Sequence, residues 1–237
     1  MIPKTIHYCW FGKGEIPQLE KDCIVSWHKY MPDWQYKLWN EQNFDVNCIP
    51  YVSEAYKAGK YAFVSDYVRL YALNAEGGLY LDTDVEVFKP FDDLMHLTAF
   101  IGYEGSKHHP PGTGVIASEA GGEWVREQIA EYDGVHFVKP DGSFDLTPNP
   151  ERIASSMMKN GAVFNQKYQT YKDLHIFPVD YFCPRQTTME YLRTENTYCD
   201  HHFAASWVDD KKEPLLLRII GQKNMTRLIK LKRKILG

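Results

Sequence analysis

No two cysteines stand in a CxxC spacing, and the five that occur, Cys9, Cys23, Cys48, Cys183 and Cys199, are an odd number in 237 residues. An odd count leaves at least one thiol unpaired, so a disulfide framework is not expected and a reducing, cytoplasmic compartment is. No apolar run is long enough to span a bilayer, and the opening MIPKTIHYCWFGKG shows no basic leader before an apolar stretch, so neither secretion nor membrane insertion is indicated. A net charge of -4 offers no general surplus of positive charge, and no nucleic-acid partner is expected. Internal repeats and low-complexity tracts are absent, as are a Ser-His-Asp order, a Cys-His arrangement and zinc spacing. The GKG at 12–14 lacks the rest of a phosphate loop, which excludes an ATPase of that kind.

The composition supplies a core. Hydrophobic residues make up 44% and charged residues 24%, with 16 Tyr, 12 Phe and 6 Trp, which is enough for one large domain. KTIHYCWF alternates as a strand before the glycines at 12 and 14, and IPQLEKDCIVSWHKYM has helical spacing up to PDW. QYKLWN reads as a second strand, and KYAFVSDYVRLYALNAEGG as a helix closed by Gly77 and Gly78. NPERIASSMMKNGAVFN reads as a later helix and HIFPVDYFCP as a strand, while residues 100–150 are expected to be loops and short helices. Strands alternating with helices predict an α/β domain with a largely parallel sheet, which binds ligands beyond the carboxyl ends of its strands.

LYLDTDVEVF places acids at such an end. An extended chain over 79–88 turns Leu79, Leu81, Thr83, Val85 and Val87 one way and Tyr80, Asp82, Asp84, Glu86 and Phe88 the other. Two carboxylates on one side suit a hard divalent cation, though a DxD also occurs on solvated turns. Asp66 and Arg69, three apart on the preceding helix, form either a local ion pair or a donor-binding pair in which Arg69 faces phosphate.

Four blocks, IPKTIHYCWFG, SWHKYMPDWQYKLWNE, AFVSDYVRLYALNAEGGLYLDTDVEVFKPFDDL and HHFAASW, resemble in their order the bacterial capsular-polysaccharide and lipooligosaccharide glycosyltransferases with a DxD sugar-binding region. These are relatives of the yeast initiating mannosyltransferase and, more distantly, of the clostridial glucosylating toxins. The resemblance implies a GT-A fold with a mostly parallel central sheet over residues 1–214, and transfer of a hexose or N-acetylhexosamine with retention of configuration. The donor is then a nucleotide diphosphate sugar, UDP-linked, with Mn²⁺ or Mg²⁺ as cofactor. It implies that Asp84 binds the metal most directly, that Asp82 meets the metal and the ribose and sugar side of the donor, and that Asp66 and Arg69 hold the donor sugar. Trp10 is similar to the ring that stacks on the base, His202 to the late metal ligand, and Ser206 and Trp207 to the pair on the diphosphate. Of His201 and His202, neighbours that point in opposite directions, at most one is expected to reach the metal. HHPPGTGVIAS and LTPNPERI depart from the family pattern in regions that shape acceptor recognition, and the acceptor is expected to be a saccharide or a lipid-linked oligosaccharide of surface-polysaccharide synthesis. A noncatalytic sugar-binding protein and a metal-dependent phosphohydrolase or nucleotidyltransferase stand as the alternatives.

Nine of the 27 Lys and Arg residues, against one of the 31 acidic residues, crowd into residues 211–237. Residues 215–237 have near-helical apolar spacing with flanking positive charge. They read either as a basic amphipathic segment that docks an acidic body peripherally on the anionic inner membrane face, or as a helix packed on the domain.

Overall fold

A computed structural model describes residues 1–12, 14–104, 111–184 and 191–204. Strand β1 (Thr5–Cys9) and strand β2 (Gln35–Trp39) lie parallel, joined through helix α1 (Gln18–Tyr30). Helices α2 (Pro50–Lys57) and α3 (Tyr61–Glu76) follow, and Gly77 and Gly78, at φ +66° and +118°, turn α3 into strand β3 (Gly78–Leu81) beside β1. Only glycine fits the second position, because a Cβ there would stand 2.6 Å from the Thr5 carbonyl oxygen.

The remaining strands and α-helices among the described residues are β4 (Val85–Val87), β5 (Ala99–Tyr103), β6 (Pro111–Ser118), α4 (Glu123–Ala130), α5 (Asn149–Lys159), β7 (Gln169–Tyr171), β8 (Leu174–Phe177), α6 (Val179–Phe182) and β9 (Cys199–His201). The main sheet runs β2-β1-β3-β6-β5-β8-β7, with β1, β2, β3, β5 and β8 in one direction and β6 and β7 against them. It is the mixed, mostly parallel sheet flanked by helices that the alternation of elements predicts. Alternate residues of its central strands serve two cores: Tyr80, Ile101 and Ile116 pack with Val64, Val68 and Trp124, whereas Leu79, Leu81, Phe100 and Val115 pack with Trp27 and Met31.

Two expectations are corrected. The extended stretch over 79–88 is broken, since the Val85 amide donates to the Asp82 carbonyl at 3.0 Å and closes a turn through Thr83 and Asp84. After that turn, β4 leaves the main sheet and, among the described residues, pairs with β9 alone, antiparallel, with Val85 opposite His201. The region 100–150, expected to be loops and short helices, contains β5 and β6, two buried central strands. Among the described residues no helix is long and apolar enough to cross a membrane.

Candidate active site

Asp82 follows the last residue of β3 directly, and its amide donates to the Gly114 carbonyl of β6 at 2.8 Å. The turn then carries Asp84 to the same end of the sheet. Antiparallel pairing with β4 delivers His201, whose Nε2 lies 3.3 Å from Asp84 Oδ1 and 4.0 Å from Asp82 Oδ2. One ligand atom from each of Asp82, Asp84 and His201 fits within a group whose members are all within 4.8 Å of one another. On the other edge of the ring, Nδ1 stands 3.1 Å from Glu104 Oε1 at the end of β5. Helix α1 braces the strand that brings the pair together: Trp27 Nε1–H donates to the Val85 carbonyl at 2.6 Å, and the Val87 amide to Ser26 Oγ at 2.9 Å.

Asp66 and Arg69 meet the cluster from α3. Arg69, 5% exposed, donates from Nη1 to the Thr113 carbonyl at 2.7 Å and from Nε to the Ser65 carbonyl at 3.3 Å. Its Nη2 lies 3.0 Å from Asp66 Oδ1 and 3.4 Å from Asp82 Oδ1, and its plane covers the Tyr80 ring at 4.7 Å. Tyr80 completes the cage by donating its hydroxyl to Asp82 Oδ1 at 2.9 Å. The fork of Arg69 is therefore spent on the protein, and the residue holds two carboxylates in place.

Even so, the site is short of positive charge. Burial, against the opposing pull of Arg69, raises the Asp66 carboxyl to about 6, and burial likewise raises that of Asp82. Burial alone would depress the His201 imidazole, yet Glu104 and Asp84 carry it well above its ordinary range. Carboxylates that remain hard to ionise beside a buried guanidinium form an environment that a further cation would relieve, and two carboxylate oxygens with one imidazole nitrogen are donors of the right chemistry for a divalent ion. The residues present fit such an ion.

The aspartates, Asp66 and Arg69 are thus brought together as a group. Trp10 stands apart at the carboxyl end of β1, beside an open recess of about 360 Å³ lined by Gly12, Leu38, Asn40, Glu41, Gln42 and Tyr56. Its indole donates to the Gly14 carbonyl at 2.8 Å. This recess and the carboxylate cluster lie at one edge, beyond the carboxyl ends of β2, β1 and β3. His202, expected as the metal ligand, is directed elsewhere, with Nε2 3.0 Å from Glu86 Oε2. His201 takes the expected position because the pairing opposite Val85 fixes which of the two neighbours faces the aspartates. Ser206 and Trp207 lie outside the described residues.

Glu104, Gly112 and Gly114 were not legible as site residues. A Cβ on Gly114 would approach His201 Nδ1 to 2.9 Å and Asp82 Oδ2 to 3.3 Å, so β6 carries glycine where other side chains must cross it. The signal was the GTG at 112–114, which reads as a loop by composition.

Residues 17–101 match the family described as a glycosyltransferase sugar-binding region containing a DXD motif. Inositol phosphoceramide mannosyltransferase 3 of Schizosaccharomyces pombe is 33% identical over 108 residues, which cover 42% of this chain and 29% of that protein. Subversion of eukaryotic traffic protein A of Legionella pneumophila is 27% identical over 202 residues, covering 69% of this chain and 31% of the other. The chain spans no more than 33% of the length of the curated relatives it matches. Among solved structures, a glycosyltransferase involved in the glycosylation of the major capsid of PBCV-1 aligns over 85% of this chain and 94% of its own at 11% identity and a TM-score of 0.49. The segment that carries Asp66, Arg69, Asp82 and Asp84 is therefore related to the DXD-containing sugar-binding region of glycosyltransferases.

Proposed function

We propose that the protein is a metal-dependent glycosyltransferase that moves a hexose or N-acetylhexosamine from a nucleotide diphosphate sugar, UDP-linked, to a saccharide acceptor with retention of configuration. The observation that carries this reading is the convergence of Asp82, Asp84 and His201 beyond the carboxyl end of β3, on the edge that also holds the Trp10 recess. Asp82, Asp84 and His201 would hold Mn²⁺ or Mg²⁺, and a divalent ion there supplies the positive charge that a departing diphosphate needs. Trp10 offers its ring to the base, with the Asn40 and Gln42 amides in the same recess as polar partners. Asp66, buried against Arg69, accepts hydrogen bonds from donor-sugar hydroxyls. Arg69 fixes Asp66 and Asp82 so that neither turns away. Ser206 and Trp207 are assigned to the diphosphate on the resemblance of HHFAASW.

Two relatives bear the names of inositol phosphoceramide mannosyltransferases, which supports a hexose as the group moved and is compatible with a lipid-borne acceptor. Resemblance to the capsular and lipooligosaccharide enzymes favours surface-polysaccharide synthesis, and the basic residues after 210 would bring the acidic body to the inner membrane face. Incubation with Mn²⁺ and a panel of nucleotide sugars tests the reading. Free nucleoside diphosphate is the expected product; nucleoside monophosphate would identify a phosphohydrolase or nucleotidyltransferase, and no product at all a binding protein.

A further inference from the structure

We propose that Glu104 is a positioning residue: its carboxylate accepts the Nδ1–H of His201 and so turns the Nε2 lone pair of that imidazole toward Asp82 and Asp84. A neutral imidazole has one N–H and one lone pair, and the hydrogen bond made by one nitrogen decides what the other offers. An ionised carboxylate can only accept. Both ring nitrogens face a carboxylate, Nδ1 at 3.1 Å from Glu104 Oε1 and Nε2 at 3.3 Å from Asp84 Oδ1, so a cation held by the aspartates would replace the hydrogen on Nε2 while Glu104 keeps the one on Nδ1, leaving Nε2 as the electron-pair donor. Glu104 lies across the ring from the aspartates, which suits a partner of the ligand better than a further ligand.

The surroundings are shaped for this contact. Gly112 and Gly114 stand two apart on β6 and so share a face. A Cβ on Gly112 would fall 1.9 Å from Glu104 Cδ, and one on Gly114 would fall 2.9 Å from His201 Nδ1. The strand is thus bare under both members of the hydrogen bond. Phe203 closes the ring from above, with centroids 4.2 Å apart and planes at 29°. Three elements, the end of β5, the glycines of β6 and the chain leaving β9, converge on one imidazole.

This inference rests on the metal-binding reading above, and Mn²⁺ affinity of the full chain, followed by the electron paramagnetic resonance of free Mn²⁺, tests it without any turnover. Glu104→Ala is expected to weaken Mn²⁺ binding by about 10–100-fold, the usual cost of removing an outer partner of a metal-bound histidine. Glu104→Gln keeps an acceptor oxygen and is expected to stay within about threefold of the wild type. Gly112→Ala leaves the carboxylate in the chain but drives it off the ring, at the cost only of rotating a side chain, and should weaken binding as Glu104→Ala does. In the Glu104→Ala background the same change should add nothing, because the two act through one contact. ¹⁵N spectra of the Mg²⁺-loaded protein should show His201 protonated at Nδ1 in the wild type and as mixed tautomers in Glu104→Ala.

Unchanged affinity in Glu104→Ala overturns the proposal, as does a loss in Glu104→Gln equal to that in Glu104→Ala, which would make the negative charge the active feature. Additive losses for Gly112→Ala and Glu104→Ala overturn it too. Wild-type protein that binds Mn²⁺ but releases no nucleoside diphosphate refutes the transferase reading and leaves the role of Glu104 standing. Wild-type protein that binds no Mn²⁺ removes both.

Discussion

An amide in place of the Asp84 carboxylate keeps the shape of the side chain and removes its charge, at a position where the nearest imidazole nitrogen is 3.3 Å away. Asp84→Asn should therefore retain the wild-type melting temperature within a few degrees while weakening Mn²⁺-dependent binding of UDP by at least about 10-fold, since a direct ligand matters no less than its outer partners. Calorimetry decides it, and unchanged affinity would remove Asp84 from the metal site. Arg69 should behave in the opposite way. It is buried between Asp66 and Asp82, and Arg69→Met leaves the buried Asp66 and the partly buried Asp82 without their shared cation, so unfolding in urea should show a loss of about 3–5 kcal/mol. A loss below about 1 kcal/mol would mean that the carboxylates ionise comfortably without it and that the guanidinium is not structural.

Between elements, β1 is tied to β2 and to the end of α3 by one side chain. Trp39 Nε1 can only donate, so at 3.0 Å it finds the lone pair of His7 Nδ1, and the hydrogen of that ring sits on Nε2, which donates to the Gly77 carbonyl at 2.8 Å. A proton added at Nδ1 would face the indole N–H. Burial, the largest influence on this group, pushes the His7 imidazole below its ordinary value of about 6.5. The unfolded chain then binds more protons than the folded one as pH falls past that value, so the stability His7 contributes is complete above about 6.5 and is lost as pH drops through the folded value. Denaturation midpoints of the wild type and His7→Gln, compared between pH 7.5 and pH 5, should diverge least at pH 5; parallel curves would show that His7 does not titrate. Such a lock is invisible to periodicity, which nevertheless located β1, β2, α1 and α3, because apolar spacing and terminating glycines are properties of short windows. The aspartate pair and the Asp66–Arg69 pair were legible for the same reason, being local in sequence. β6 was not, since PGTG is the composition of a turn and its glycines answer to Glu104 and His201, which come from other strands. Nor could the choice between His201 and His202 be read, because it depends on the register of β9 against β4.

At the scale of the molecule, charge is divided between an acidic body and the basic residues that follow position 210. If the latter reach an anionic membrane, full-length protein should sediment with phosphatidylserine vesicles in low salt and less so at 0.5 M salt, each basic side chain near the surface contributing about 1 kcal/mol. A chain ended at Pro214 should stay in the supernatant, and equal sedimentation of the two forms would refute tail docking. The strand pair β4–β9 has a different consequence for the whole chain, one of timing. It joins residues 85–87 to residues 199–201, so the two carboxylates are made long before the imidazole that faces them. At about 5–20 residues per second, a ribosome leaves them without it for roughly 6–23 s. A message cut short before the codon for His201 yields a protein with an acidic pair and no nitrogen to answer it, so prematurely ended products cannot assemble the three-residue cluster.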